Sequence, residues 1–299
     1  MDDQEIILPS PDPVPSQASG GCPVHFGGIT SGGHTPLNYN SYLMVEQLKK
    51  LQICQSEPAH HDEPLFIIIH QTYELWFKLI IHELDLVLDL MRKDKVRKAT
   101  HFMRRVGAIM KLLVGQIHIL ETMAPRDFLA FRHKLNPASG FQSSQFREIE
   151  FMAGLKDERI LSHFEMDKEA YATLTHRYRG ETLGEAFYDL LRLHGFNLPC
   201  SVAGDDEATA AKIEEERIRE LCRLYEDESG ALTDLHDLAE SFIDLDELIS
   251  LWRTNHVTVV ERIIGFKRGT GGSEGVGYLR STLHKRCFPD LWNLRTALV

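Results

Sequence analysis

The sequence predicts an all-α protein, a bundle of long helices. Apolar residues recur every three or four positions over several long stretches. Runs with the two-residue alternation of a strand are scarce. No internal repeat marks a solenoid.

Residues 1–35 come first, and they read as a flexible Pro- and Gly-rich arm. Pro9, Pro11, Pro13, Pro15 and Pro23 alternate there with glycine pairs. Its Cys22-Pro23-Val24-His25 could hold a metal or free haem, but a solvated tail explains it as well. Residues 36–299 read as one all-α domain. From Tyr39, the three-residue spacing of Tyr42, Val45, Leu48 and Leu51 predicts a helix. A long helix follows over Phe66–Met91, with Leu75, Leu79, Ile80, Leu84 and Leu88 on one apolar face. Another runs over Lys98–Thr122 and stops by Pro125. Ala208–Tyr225 forms a charged helix, and Leu232–Gly265 forms the last long one. The stretch Gly265–Gly277 holds six glycines in thirteen residues. That density excludes a stable helix and predicts a loop whose backbone closely approaches a neighbour.

Composition bounds the function. The chain has 299 residues, enough to enclose a cofactor within a sizeable core. The net charge of −11 argues against nucleic acid and anionic membrane surfaces as partners. The longest apolar run, Leu65–Ile69, is too short to span a bilayer. MDDQEIILPSPDP has no apolar run of a signal peptide. Five scattered cysteines without a C-x-x-C pair argue against a zinc ribbon, a thioredoxin-like site and covalently attached haem. Free thiols and these absences lead us to expect a cytoplasmic protein.

Four constellations can carry chemistry. HHDEPLFIIIHQTYELWFK, residues 60–78, is dense in donors, and His70 and Glu74 share a helix face. Pro58 interrupts the E-x-x-H spacing of Glu57 and His60, so a carboxylate-bridged metal site is poorly supported. His60–Glu63 instead suits the positive end of a helix. His70 follows five apolar residues and should point partly inward. His256 sits within the stripe Leu245, Leu248, Ile249, Trp252, Val259, Val260 and Ile263. Such a ring needs a hydrogen bond or a metal, and by itself the stripe favours a hydrogen-bonded core histidine, although it is also what a proximal haem helix needs. Arg132, between Phe128, Phe131 and Leu135, is either a surface ion-pair partner or a two-pronged carboxylate clamp. The glycine loop lacks the G-K-[ST] ending of a phosphate loop, and Glu274 stands where a dinucleotide fingerprint needs its third glycine.

Taken in order, HDEPLFIIIHQTYELWFK, FRHKLNPASGFQSSQFR and WRTNHVTVVERIIGFKRGTGGSEGVGYL closely resemble the tryptophan 2,3-dioxygenase family over residues 36–299. The resemblance implies a helical bundle enclosing a non-covalent haem b, assembled as a homotetramer. It implies insertion of both atoms of O2 across the indole C2–C3 bond of L-tryptophan, giving N-formyl-L-kynurenine. By matching position, His256 would be the proximal iron ligand and His70 the distal residue that orients the indole N–H. Phe66 would be a distal-pocket aromatic. Arg132 would bind the substrate carboxylate, and Thr270 its ammonium and carboxylate. Ser139 and Gly140 would lie near the haem edge. Tyr39 and Tyr42 would reach a neighbouring subunit's site. Phe128 stands where some members carry tyrosine, which removes at most one hydroxyl contact. The alternatives are a related haem enzyme oxygenating a substituted tryptophan or indole in biosynthesis, a haem sensor, and a non-haem metalloprotein using His60, His61, His70 and Glu74.

Overall fold

A computed structural model of the chain describes residues 37–199, 206–271 and 274–298. The expected N-terminal arm lies outside the described residues. All regular structure among the described residues is helical. The chain divides into two compact units, with the boundary between Leu51 and Gln52.

In the first unit, the expected helix from Tyr39 is two single turns, α1 (Tyr39–Tyr42) and α2 (Val45–Leu48). Met44 separates them in the left-handed region, at φ 51°. Asn38 and Ser41 cap α1 reciprocally. Apolar spacing alone could not reveal this break, because a single residue's φ ends the helix.

The second unit is built on three long helices: α3 (Glu63–Arg92), α4 (Val96–Leu120) and α10 (Thr233–Ile264). At 30 residues, α3 is about 45 Å long. The sequence limits for all three are within about two or three residues of those observed, as fraying ends allow. Asp94, at φ 53°, turns α3 into α4, and α4 packs along both α3 and α10. Their shared core contains Ile80, Leu84 and Met91 of α3, Met103, Met110, Leu113 and Ile117 of α4, and Phe242 of α10. Truncating one such side chain to Ala costs about 2–5 kcal/mol.

The flank of the bundle carries α5 (Pro125–Arg132), α6 (Ser144–Met152), α7 (Lys168–Arg179), α8 (Leu183–Leu193), α9 (Glu207–Tyr225), α11 (Val276–Ser281) and α12 (Pro289–Ala297). Pro125 does not only follow α4. It opens α5 at a first-turn position, where its missing N–H goes unmissed. Two polar ties fix these helices. Glu150 of α6 accepts from Arg147 at 2.5 Å and from Arg253 of α10 at 2.6 Å, with all three side chains buried. Asp246 of α10 accepts from the Cys287 and Phe288 amides and from Trp292 Nε1 at 2.9–3.1 Å, anchoring the start of α12. No single helix among the described residues is long and apolar enough to cross a membrane.

The start of α3 differs from expectation. Asp62 occupies the cap position without making a side-chain cap bond. Glu63, fully buried, turns back and accepts from the Gln55 and Ser56 amides at 2.6 and 3.1 Å and from the Ser56 hydroxyl. The acidic residue pins the preceding loop rather than capping the helix.

Candidate active site

Helical geometry positions His70. Side chains on a helix lean toward its N-terminus, so the His70 ring reaches back over the preceding turn. Its Nδ1 lies 2.7 Å from the Phe66 carbonyl oxygen. A carbonyl only accepts, so Nδ1 holds the proton, and the neutral ring leaves Nε2 as an acceptor. Burial lowers the His70 pKa below its ordinary 6.5, against the opposing pull of the Phe66 bond and the Glu74 carboxylate. The ring nevertheless presents accessible surface. Desolvated yet accessible is the condition of a side chain that lines a cavity.

His256 answers it from α10. Burial, and then the charge of His70, push its pKa down to about 4. The charge of His70 is felt at His256, so the two imidazoles lie near each other, and α3 meets α10 through Tyr73 and Trp252. No hydrogen bond to the His256 ring forms among the described residues. Its neighbour is Trp252, one turn earlier, with ring centroids 5.1 Å apart. Trp252 is wedged between Tyr73 at 6.1 Å and Phe146 at 4.9 Å, and its buried Nε1 has no acceptor among the described residues.

These residues fit a haem. A histidine ligates iron through a neutral imidazole, and His256 is neutral across the physiological range. An unsatisfied ring in an apolar stripe, beside an orphaned indole N–H, is costly unless something occupies the ring nitrogen. The non-haem alternative fares worse: no group of three His, Cys, Asp or Glu donors gathers among the described residues. His61 is almost fully exposed.

Aromatic rings form the wall beside His70. Phe66 packs on His70 at 4.1 Å and on Phe128 at 5.4 Å. Phe131 meets Phe66 at 6.0 Å and Phe128 at 5.4 Å, edge-on in both cases. The sequence reading gave Phe131 no role in this wall, although its spacing from Phe128 on α5 puts both on one face.

Two loops meet at the end of α5, next to the aromatic wall. Arg132, the last residue of α5, donates from its guanidinium to the Arg268 carbonyl. Thr270 donates its hydroxyl to the Ala138 carbonyl. A Cβ on Gly271 would stand 2.6 Å from the Ser139 Cβ. The glycine loop therefore lies against the Pro137–Gly140 turn as closely as its glycines permit, meeting the expectation of a close approach. Gly275, at φ 64°, continues the chain where only glycine is unstrained. Arg132, Thr270, Ser139 and Gly140 thus share one corner. Below it, Gln145 Nε2 donates to the Glu74 carbonyl at 2.9 Å and carboxylate at 2.7 Å. This tie between α6 and the His70 helix carried no recognisable motif. Tyr39 and Tyr42 are exposed on the first unit.

The fold and site together define a class: an all-α protein with two neutral histidines, an aromatic wall beside one of them and a guanidinium next to that wall. Comparison with known proteins names it. The family profile for tryptophan 2,3-dioxygenase matches residues 27–188 and 219–298, so the chain belongs to the tryptophan 2,3-dioxygenase family. It is similar to the tryptophan 2,3-dioxygenase of Herpetosiphon aurantiacus, 44% identical over 262 residues, covering 88% of this chain and 98% of that one. The tryptophan 2,3-dioxygenase of Myxococcus xanthus is 39% identical over 260 residues, 87% of this chain and 89% of its own. That of Nocardioides sp. is 43% identical over 267 residues, 88% of this chain and 95% of its own.

Proposed function

We propose that this protein is a haem-dependent dioxygenase that opens the indole ring of L-tryptophan at C2–C3 to give N-formyl-L-kynurenine. The observation that carries this reading is a pair of neutral histidines: His256, which feels the charge of His70 and has no hydrogen-bond partner among the described residues, and His70, whose Nε2 the Phe66 bond leaves free. Haem b held by His256 would supply the binding and activation of O2. Both oxygen atoms enter the product, so turnover consumes no external reductant.

The protein's own residues bind, orient and keep the site dry. Phe66, Phe128 and Phe131 form an apolar wall for the indole. His70 Nε2 accepts from the indole N–H and fixes which ring edge faces the haem. It orients rather than deprotonates, because a ring with a depressed pKa is too weak a base for so weak an acid. Arg132 exchanges the Arg268 carbonyl for the substrate carboxylate, a stronger partner for a guanidinium. The Thr270 hydroxyl serves the carboxylate and ammonium beside it, and Ser139 and Gly140 complete the corner. Once closed, the corner excludes water from the reacting ring.

The clamp of Arg132 and Thr270 has no purpose in a haem sensor. Relatives over most of the chain carry the tryptophan name, so a substituted-indole substrate is not favoured. The same reading makes the protein a cytoplasmic homotetramer in which Tyr39 and Tyr42 serve a neighbouring subunit.

The test is direct. The purified protein should show a Soret band that shifts on reduction. With L-tryptophan and air it should produce the ultraviolet absorption of the formylated product. A protein without the Soret band would not be a haem enzyme. Haem without product, but with turnover of a ring-methylated tryptophan, would overturn the choice of substrate.

A further inference from the structure

We propose that a second cavity, with Ser139 and Gly271 on its rim, binds a small aromatic carboxylate. It encloses about 670 Å³ and is bounded by the Ser139–Gln142 turn, the 3-10 segment Glu158–Phe164, and α11 with the chain that follows it. That volume falls within the range of small-molecule sites. None of His70, Phe66, Arg132, Thr270 or His256 lines it.

The wall is pre-set. Phe141 meets His163 edge-on at 4.8 Å and Tyr278 edge-on at 5.5 Å. The guanidinium of Arg147 lies 4.6 Å from the Phe141 ring centre, and Arg147 is itself buried and paired with Glu150. A ring held by three neighbours loses little freedom when a flat ligand packs on it. Ile160 extends the apolar surface.

The charged side chains of the lining leave one cation and one anion over. Arg159 and Asp157 neutralise each other through a two-pronged pair at 2.9 and 2.8 Å. Lys285 is the cation left over. It forms no ion pair among the described residues, although its charge is felt at Asp157. The Tyr278 hydroxyl and the His163 ring make no hydrogen bond among the described residues, so both can donate beside it. Aromatic floor, ammonium and two neutral donors together match an aromatic ring bearing one carboxylate. Glu274, exposed on the same lining, disfavours a dianion and would accept an ammonium if the ligand carried one. The carboxylate therefore comes either from a simple aromatic acid or from an aromatic amino acid.

Fluorine NMR of 4-fluorobenzoate and 4-fluorophenylalanine with the haem-loaded full-length protein tests this. The spectra are recorded without O2 on the wild-type protein and on Arg132→Ala, whose catalytic site has lost its carboxylate partner. We expect saturable broadening of at least one probe. Tighter binding of the acid, or of the amino acid, identifies the source. Lys285→Gln should weaken binding about tenfold, the usual worth of a hydrogen bond to a charged group. Tyr278→Phe should weaken it less, and Lys212→Gln, on exposed α9, should leave it unchanged. Circular dichroism of each variant checks the fold. Absence of saturable broadening, its loss in Arg132→Ala, or equal binding by the Lys285→Gln protein would each overturn the proposal. The readout is binding, so it stands or falls separately from the dioxygenase activity.

Discussion

The neutral state of two histidines sets the chemistry at the scale of single residues. Desolvation lowers the His70 pKa, and the Phe66 carbonyl and Glu74 oppose it. Its folded pKa lies below 6.5, so the acceptor at Nε2 is present above that pH and lost only as the pH falls past the depressed value. The acid limb of kcat/KM against pH should therefore lie below 6.5. In Glu74→Gln it should move lower still, because the carboxylate that raises the pKa is gone. A limb that stays put in this variant would remove Glu74 from the account. His256→Ala should lose the Soret band while keeping its helical circular dichroism, since the lost group is a ligand and not a core apolar residue. Arg132→Ala should retain haem and lose tryptophan affinity by about 2–5 kcal/mol, the loss expected when one partner of a buried charge pair is removed. Equilibrium binding of L-tryptophan to the anaerobic protein measures it. The sequence made His70, Arg132 and His256 conspicuous as residue types. It could not assign the His70 tautomer, which depends on where a carbonyl lies.

Loops and helices carry different burdens at the scale of elements. The three long helices were legible because each repeats the same apolar spacing over seven turns or more, and the signal accumulates with length. The flanking helices α6, α7, α8, α11 and α12 run 6 to 12 residues, too few for periodicity to separate them from loops. The glycine loop was legible through composition. What it approaches was not, because Ser139 lies far away in the chain. Gly271→Ala tests that contact. Its Cβ would fall 2.6 Å from another Cβ in the Pro137–Gly140 turn, so one loop must shift. Overpacking of this kind costs about 1–3 kcal/mol. Because the strain falls on the substrate corner and not on His256, KM for tryptophan should rise several-fold with haem content unchanged. An unchanged KM would mean that the loop yields without disturbing the site.

Across the whole molecule, burial of charge constrains the fold. Glu150 sits between Arg147 and Arg253 with all three side chains buried, joining α6 to α10 just before His256. Removing the carboxylate strands two guanidinia in the interior. Glu150→Ala should therefore cost about 3–5 kcal/mol. For a chain of this size that is a fall in Tm of roughly 10 °C, measurable by calorimetry. Exposed pairs that also bridge helices, such as Arg97–Asp234 and Arg104–Asp237, should contribute about 1 kcal/mol or less each when deleted.

The sequence by itself determined the helical class, the three long helices, the glycine loop and the ordered motifs of the family. These are local properties: a period, a composition, a short run of residue types. The tertiary structure alone decided that His256 lies within reach of the charge of His70 and that Phe131 joins the aromatic wall. It also decided that Arg132 and Thr270 close one corner, and that Met44 breaks a helix the apolar spacing would have continued. Those facts join residues far apart in the chain, or hinge on one backbone angle, and neither leaves a periodic trace. A long-range contact is fixed by how buried faces pack and how buried polar groups find partners, so it exists only once the chain is folded.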